Sequence, residues 1–344
     1  MKTLASTIPN VASTSVDLDL LAASPAAPRG RPALTSPLEP STRSKWLAGV
    51  LVIGYAIISL IPLAWIFMTS LRTPQDAIAY PPKVVTEQSL VGYVNLFTTR
   101  SRVSAEELAA LPPPATWYES LVRDQQMILA GPSRFIDRYS NSLLIGFGST
   151  LLSVVLGTLA AYAFSRFRVP GKDDLLFFIL STRMMPPIAV AIPIYLMFRN
   201  VGLNDTHLGL ILLYTVVNLS LSVWLLKGFM DEIPREYEEA AMVDGYTRWQ
   251  AFLKVVLPQA ATGIATTAIF CLIFAWNEYA FALLLTSGTA QTSPPFIPTI
   301  IGEGGLDWPA MAAGTTLFLL PVLFFTVLLR KHLLRGVTFG AIRK

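Results

Sequence analysis

Six stretches of this 344-residue chain are apolar for long enough to cross a bilayer, and that leaves few folds open. A hydrocarbon core of about 30 Å takes roughly 20 helical residues. Residues 46–71 carry no charge between Lys45 and Arg72, and 139–165, 208–226 and 309–329 are equally free of charge. Residues 175–198 hold one internal charge, Arg183, and a fifth apolar stretch runs over 255–286. Lipid offers no hydrogen bonds, so each run is expected as a helix that satisfies its own backbone. One such run could be a buried helix of a large soluble protein; six in one chain exclude that. Charged residues make up 14%, against about 25% in soluble domains. The expected fold is all-α, a polytopic membrane protein with six transmembrane helices.

Lysine and arginine set the orientation. Seventeen of the 26 fall on one side: Lys2, Arg29, Arg31, Arg43 and Lys45; Arg166, Arg168 and Lys172; Lys227, Arg235, Arg248 and Lys254; and Arg330, Lys331, Arg335, Arg343 and Lys344. The short opposite loops hold Arg199 in 199–207 and none in 287–308. Loop 72–138 is long enough to be translocated whatever its charge. Both termini are therefore expected in the cytoplasm. Residues 1–45, rich in Ser, Thr, Pro and Ala, form an expected disordered tail ahead of a membrane domain over 46–344. Outer loop 72–138 is expected to be a lid or a docking surface for an external partner. Loop 287–308, with Gly288, Pro294, Pro295 and Gly305, is expected to be flexible. Residues 330–344 form a basic tail that also suits anionic membrane lipid. Prolines at 186, 187, 193 and 321 are expected to bend the third and sixth spans.

Several chemistries are excluded. One cysteine, Cys271, and two histidines, His207 and His332, make a disulfide or a His/Cys metal site untenable. The basic residues form no aromatic-interleaved stripe, so nucleic acid is not an expected partner. No Gly-Lys-Ser/Thr phosphate loop occurs, so nucleotide hydrolysis cannot sit on this chain and no enzyme activity is expected.

The most informative segment is 233–258. Pro234 stands where the first helical turn has unpaired amides anyway. Glu236, Glu238 and Glu239 then favour the positive end of a helix. Tyr237, Ala240 and Ala241 share one side, and Gly245 is placed to cap the helix with positive φ. A short helix with a small-residue face results, held between two spans.

Glu239-Ala240-Ala241, Gly245 after three intervening residues, then Val255 and Leu257-Pro258 resemble the EAA loop of ABC-importer permeases. The segments 183–193, 276–286 and 335–344 are similar to carbohydrate permeases of the maltose-transporter type, namely the six-span member of the pair. The resemblance covers residues from about 46 to 344. It implies a coupling loop over 231–254 that docks in a groove of a separate ATP-binding subunit, with Glu239, Ala240, Ala241, Gly245, Leu257 and Pro258 as the coupling residues. It further implies a second permease, two ATP-binding subunits that hold ATP and Mg, and an extracytoplasmic solute-binding protein, in the bacterial inner membrane. No cofactor is expected on this chain. Tail 1–45 and the enlargement near 100–134 lie outside the family pattern.

Polar residues inside the spans are the expected solute contacts: Arg183, Asn218, Trp276, Asn277 and Glu278. Arg183 has a favoured structural reading, a charge paired with a carbonyl or an acid. Trp276 and Asn277 have the stacking face and hydrogen-bonding groups that a sugar needs, and an interfacial tryptophan is the plainer alternative. An ion-coupled secondary transporter is the competing function; it calls for paired intramembrane acids or broken helices in related halves. A membrane enzyme ranks third.

Overall fold

The computed structural model describes residues 41–302 and 305–337; residues 1–40 of the expected disordered tail 1–45 and the terminal segment 338–344 lie outside the described residues, while 42–45 of that tail form the first turn of a helix. The chain divides into two units, Met1–Ser59 and Leu60–Lys344, and the second holds nearly all of the fold. Helix α1 (Thr42–Ser70) is the first span. The segment after it holds α2 (Pro74–Ala77), α3 (Val91–Phe97), β1 (Thr98–Arg102), α4 (Ala105–Ala110), α5 (Trp117–Arg123) and β2 (Met127–Pro132). Next come α6 (Phe135–Arg166), α7 (Lys172–Ser181), α8 (Pro187–Asn200), α9 (His207–Glu232) and α10 (Arg235–Val243). The chain continues with α11 (Arg248–Ala251), α12 (Leu257–Gln259), α13 (Ala261–Trp276), α14 (Ala280–Leu285), α15 (Ser293–Phe296) and α16 (Trp308–Val337). Two small hairpins, β1–β2 and β3 (Ile301–Gly302) with β4 (Gly305–Leu306), are the sheet content of an otherwise helical fold.

Among the described residues, four helices are long and apolar enough to cross a membrane, α1, α6, α9 and α16, and two bent pairs bring the total to six if each pair is one span. The third span is more than kinked: it breaks between α7 and α8 with a 96° bend. Pro186 and Pro187 supply no amide protons, and a residue before proline avoids helical ψ, as Met185 does at ψ 128°. Pro193 sits within α8 without ending it. The fifth span differs from expectation at both ends. It bends by 72° between α12 and α13 and stops at Trp276, and α14 is a separate short helix.

Small residues make the central seam. On α6 the buried positions Ser149, Ser153, Gly157 and Ala161 recur every four residues, while Leu151, Val155 and Leu159 face outward. Facing them, α9 buries Asn218, Ser222 and Leu226 at the same spacing. A Cβ on Gly157 would lie 2.4 Å from the Ser222 Cβ, so only glycine lets the two backbones come this close. Lipid tails are as apolar as leucine, so van der Waals fit between small faces, not oil-like burial, holds such a seam.

Loop 72–138 is folded. β1 and β2 pair antiparallel from Thr98↔Pro132 to Arg102↔Met127, with a bulge between Thr99 and Arg100. The hairpin is tied to the head of α16 through Asp307, which is 3% exposed. Its Oδ2 accepts from Asn95 Nδ2 at 2.8 Å and pairs with Arg100 Nη2 at 3.1 Å, and its Oδ1 accepts from the Ala310 amide at 3.1 Å.

The first residues of loop 287–308 are pinned, contrary to the expected flexibility. Asp205, at φ +54°, accepts four backbone amides: Thr289 at 2.9 Å, Ala290 at 3.1 Å, and Ser287 and Gly288 at 3.3 Å each. Asn141 Nδ2 donates to the carbonyls of Thr289 and Gln291 at 2.7 and 2.9 Å, and Arg138 Nη1 donates to that of Gly288. Burial pushes the Asp205 carboxyl up, and the four amides outweigh it and hold the group below the usual carboxylate value. A lowered folded pKa means the contribution is complete above about pH 4 and is lost as pH falls through the folded value. Backbone amides 287–290 should therefore stay protected at pH 5, after correction for intrinsic exchange rates, and open only below about pH 4. Asp205→Ala should expose them at all pH values. Loss of protection already near pH 6 in the wild type would contradict the clasp.

Candidate functional site

Helix α10 starts after Pro234, whose ψ of 135° is extended, and carries Arg235 to Val243. It ends in a Schellman turn: the Gly245 amide donates to Met242 O and the Tyr246 amide to Ala241 O, both at 3.1 Å, with Gly245 at φ +92°. Thr247 and Gln250 then form a reciprocal cap for α11. Five residues of π-helix, Phe252–Val256, precede Pro258, which lacks the amide that Lys254 O would otherwise receive. Each punctuating residue of the loop thus has a backbone reason.

The buried side of α10 was not anticipated. Glu238, read as one of three acids at a helix start, is 4% exposed. Its Oε2 pairs with Arg166 Nε at 3.0 Å and its Oε1 accepts from the Tyr162 hydroxyl. Arg166 Nη2 donates to Ile233 O at 2.9 Å, and Arg235 Nη2 donates to Ser165 O at 2.6 Å. Tyr162 lies against Phe252 at 4.5 Å between ring centroids, inside an apolar cluster with Leu226, Met230 and Val256. The signal was available in spacing: Glu238 lies three residues before the buried Ala241, so both occupy one face.

The opposite side of α10 is exposed. Glu239 and Ala240 point outward, Gly245 is uncovered, and Tyr237, Val243 and Trp249 are large and exposed at 54%, 87% and 57%. Of the expected small face, Ala240 is exposed and Ala241 is turned inward; Leu257 is half-buried and Pro258 exposed. Exposed aromatic and aliphatic groups thus surround a small centre on this side of α10.

The candidate solute contacts do not form one cluster. Trp276 is 2% exposed, stacked on Phe318 at 4.8 Å, and its Nε1 donates to Phe318 O at 3.1 Å. It is a core residue here, neither interfacial nor open to a sugar. Asn218, 1% exposed, donates to Cys271 O at 3.1 Å. Glu278 caps α14 by accepting the amides of Phe281 and Ala282 at 2.9 and 3.0 Å, and it accepts from Tyr214 Oη at 2.7 Å. Asn277 is exposed, with Nδ2 donating to Ile273 O at 2.8 Å. Arg183 sits in the single turn Thr182–Met184 at the break of the third span, its guanidinium 4.2 Å from the Phe274 ring centre. Neither a carbonyl nor an acid pairs with it among the described residues, so the favoured structural pairing is replaced by a cation–π contact.

The family described as binding-protein-dependent transport system inner membrane component matches residues 153–339, from the middle of α6 through the loop 233–258 and the whole of α16. The chain belongs to that family. It is a membrane-spanning permease of the ABC-importer class, which disfavours the secondary-transporter reading even though two spans are broken. The trehalose transport system permease protein SugB of Mycobacterium tuberculosis is 34% identical over 296 residues, 85% of this chain and 94% of that one. The trehalose/maltose transport system permease protein MalG of Thermococcus litoralis is 31% identical over 242 residues, 70% and 87% of the two chains. A chain in the crystal structure of a bacterial ABC transporter that imports the acidic polysaccharide alginate has the same fold. It matches with a TM-score of 0.60 at 19% identity, covering 85% of this permease and 98% of that chain.

Removing one partner of a buried ion pair strands the other at a cost of about 3–5 kcal/mol. Glu238→Ala should therefore loosen α10 from α6 and uncouple the permease, while Glu238→Gln, which keeps one acceptor for Tyr162, should retain part of the activity. The charge reversal Glu238→Arg with Arg166→Glu should recover uptake relative to either single change. Equal activity of Glu238→Ala and wild type would remove the pair from coupling.

Proposed function

We propose that this permease is one of two in an ATP-driven importer of a sugar or sugar derivative, and that ATP hydrolysis on separate subunits reaches it through α10. The observation that carries this reading is the two-sidedness of α10. One face is locked to α6 by the Glu238–Arg166–Tyr162 network, and the other offers Tyr237, Glu239, Ala240 and Gly245 to a partner. A helix so clamped passes displacement to the spans as a rigid body. The sugar class rests on relatives named for trehalose and trehalose/maltose transport. Two ATP-binding subunits, carrying ATP and Mg, fit a pair of permeases with one coupling helix each. Both termini and α10 are assigned to the cytoplasm by the Lys and Arg distribution, and loop 287–308 to the side where a solute-binding protein delivers its cargo. Within the spans, Arg183 and Asn277 keep the best claim on solute, because Trp276, Asn218 and Glu278 are engaged in packing or capping.

Gly245 tests the coupling role. A Cβ there meets no atom within 4 Å, so a substitution costs only the strain of positive φ, about 1 kcal/mol. Six spans tolerate that. Gly245→Arg should reach the membrane at normal abundance, lose co-purification with the ATP-binding subunit and lose uptake. Wild-type uptake by Gly245→Arg would sink the assignment.

A further inference from the structure

At the end of α6 opposite to the coupling helix, the hairpin β1–β2 encloses a feature that no transport role accounts for. The Arg100 side chain is 4% exposed, yet only Nη2 is engaged, with Asp307 Oδ2 at 3.1 Å and Ile301 O at 3.4 Å. Its Nε and Nη1 have no hydrogen-bond partner. Arg72, Arg123, Arg138 and Arg183 each leave one buried guanidinium nitrogen unpaired, and Arg100 leaves two, which singles it out as the place for a ligand. Arg100 lines a cavity of about 500 Å³, a volume in the range of small-molecule sites.

The rest of the lining says what would fit. Arg134 is exposed at the rim, and no Asp or Glu lines the cavity among the described residues. Arg102 also lines it but is engaged in an interaction of its own and carries none of the argument. The hydroxyls of Thr98, Thr99 and Thr299 donate to the carbonyls of Val94, Pro132 and Phe296 at 2.6, 3.0 and 2.7 Å. With their protons so used, they offer lone pairs to a ligand. Leu96, Met127 and Phe296 add apolar surface. A ligand that matches has an oxyanion for the arginines, hydroxyl donors for the threonine oxygens and an apolar ring face. We infer that this cavity binds a sugar acid, its carboxylate beside Arg100 and Arg134 and its hydroxyls on the threonines. Burial holds the Arg100 guanidinium below its ordinary value and Asp307 only partly restores it, which is the sign of a cation short of negative partners. The inference rests on the importer reading only for the assembly that is titrated, because binding here is measured without transport.

The test is calorimetric titration of the intact complex in lipid nanodiscs with galacturonate, galactose and sodium sulfate. Galacturonate should bind at least about tenfold more tightly than galactose, the difference one charge-assisted hydrogen bond supplies. Arg134→Gln, at an exposed site that leaves the hairpin intact, should weaken galacturonate by about tenfold and leave galactose unchanged. Arg100→Lys keeps a charge beside Asp307 but removes Nε and Nη1, and it should weaken galacturonate similarly at an unaltered melting temperature. Galactose binding as well as galacturonate, undiminished binding in both variants, or no binding of galacturonate would each overturn the proposal. Equal affinity for sulfate would reduce the cavity to a general anion site and overturn the sugar acid.

Discussion

Everything this permease does hangs on the close approach of α6 and α9. Gly157 against Ser222 sets the distance, and the small residues above and below it keep the two backbones in register along the membrane. Because lipid supplies no hydrophobic drive between helices, the seam depends on fit. Both ends of α6 then serve as anchors. Arg138, Asn141 and Ser142 hold the segment 287–293 at one end. Tyr162, Ser165 and Arg166 hold α10 at the other. A helix of this length spans about 45–50 Å at 1.5 Å per residue. A displacement of α10 is thus presented to a single rigid element whose far end grips a loop on the opposite side.

The two broken spans have different chemistry. Between α7 and α8, consecutive prolines remove two amide donors and push Met185 out of helical ψ, so the chain turns sharply and leaves Arg183 in the corner against Phe274. At the second break a π-turn over Phe252–Val256, ahead of α12, absorbs the missing amide of Pro258, and the helix restarts after Ala260. Neither break is a simple hinge in a continuous rod.

Three acids illustrate how charge is tolerated in so apolar a chain. Glu238 meets a guanidinium and a phenol, Asp205 four backbone amides, and Asp307 a guanidinium, an amide side chain and a helix N-terminus. In each case every carboxylate oxygen is supplied with donors, which is the condition for burying a charge without a large penalty. Arg100 departs furthest from that condition, with two buried nitrogens that no acceptor reaches.

Membership of the helical membrane class, the number of hydrophobic runs and the place of the short helix α10 were legible in sequence because each depends on local properties. Run length against bilayer thickness, the fixed φ of Pro234 and the positive φ of Gly245 need no knowledge of distant residues. The Glu239-Ala240-Ala241…Gly245 pattern could be placed on a helix for the same reason. What tertiary structure alone decided are the partners across the chain. Trp276 looks the same in sequence whether it faces a sugar or Phe318. Glu238 differs from Glu239 only in being turned toward Arg166, 72 residues earlier. Asp205 became a clasp because the chain returned to it 82 to 85 residues later. Hydrogen bonds and ion pairs are short-ranged in space and indifferent to separation along the chain, so their choice waited on the packing of α6 against α9.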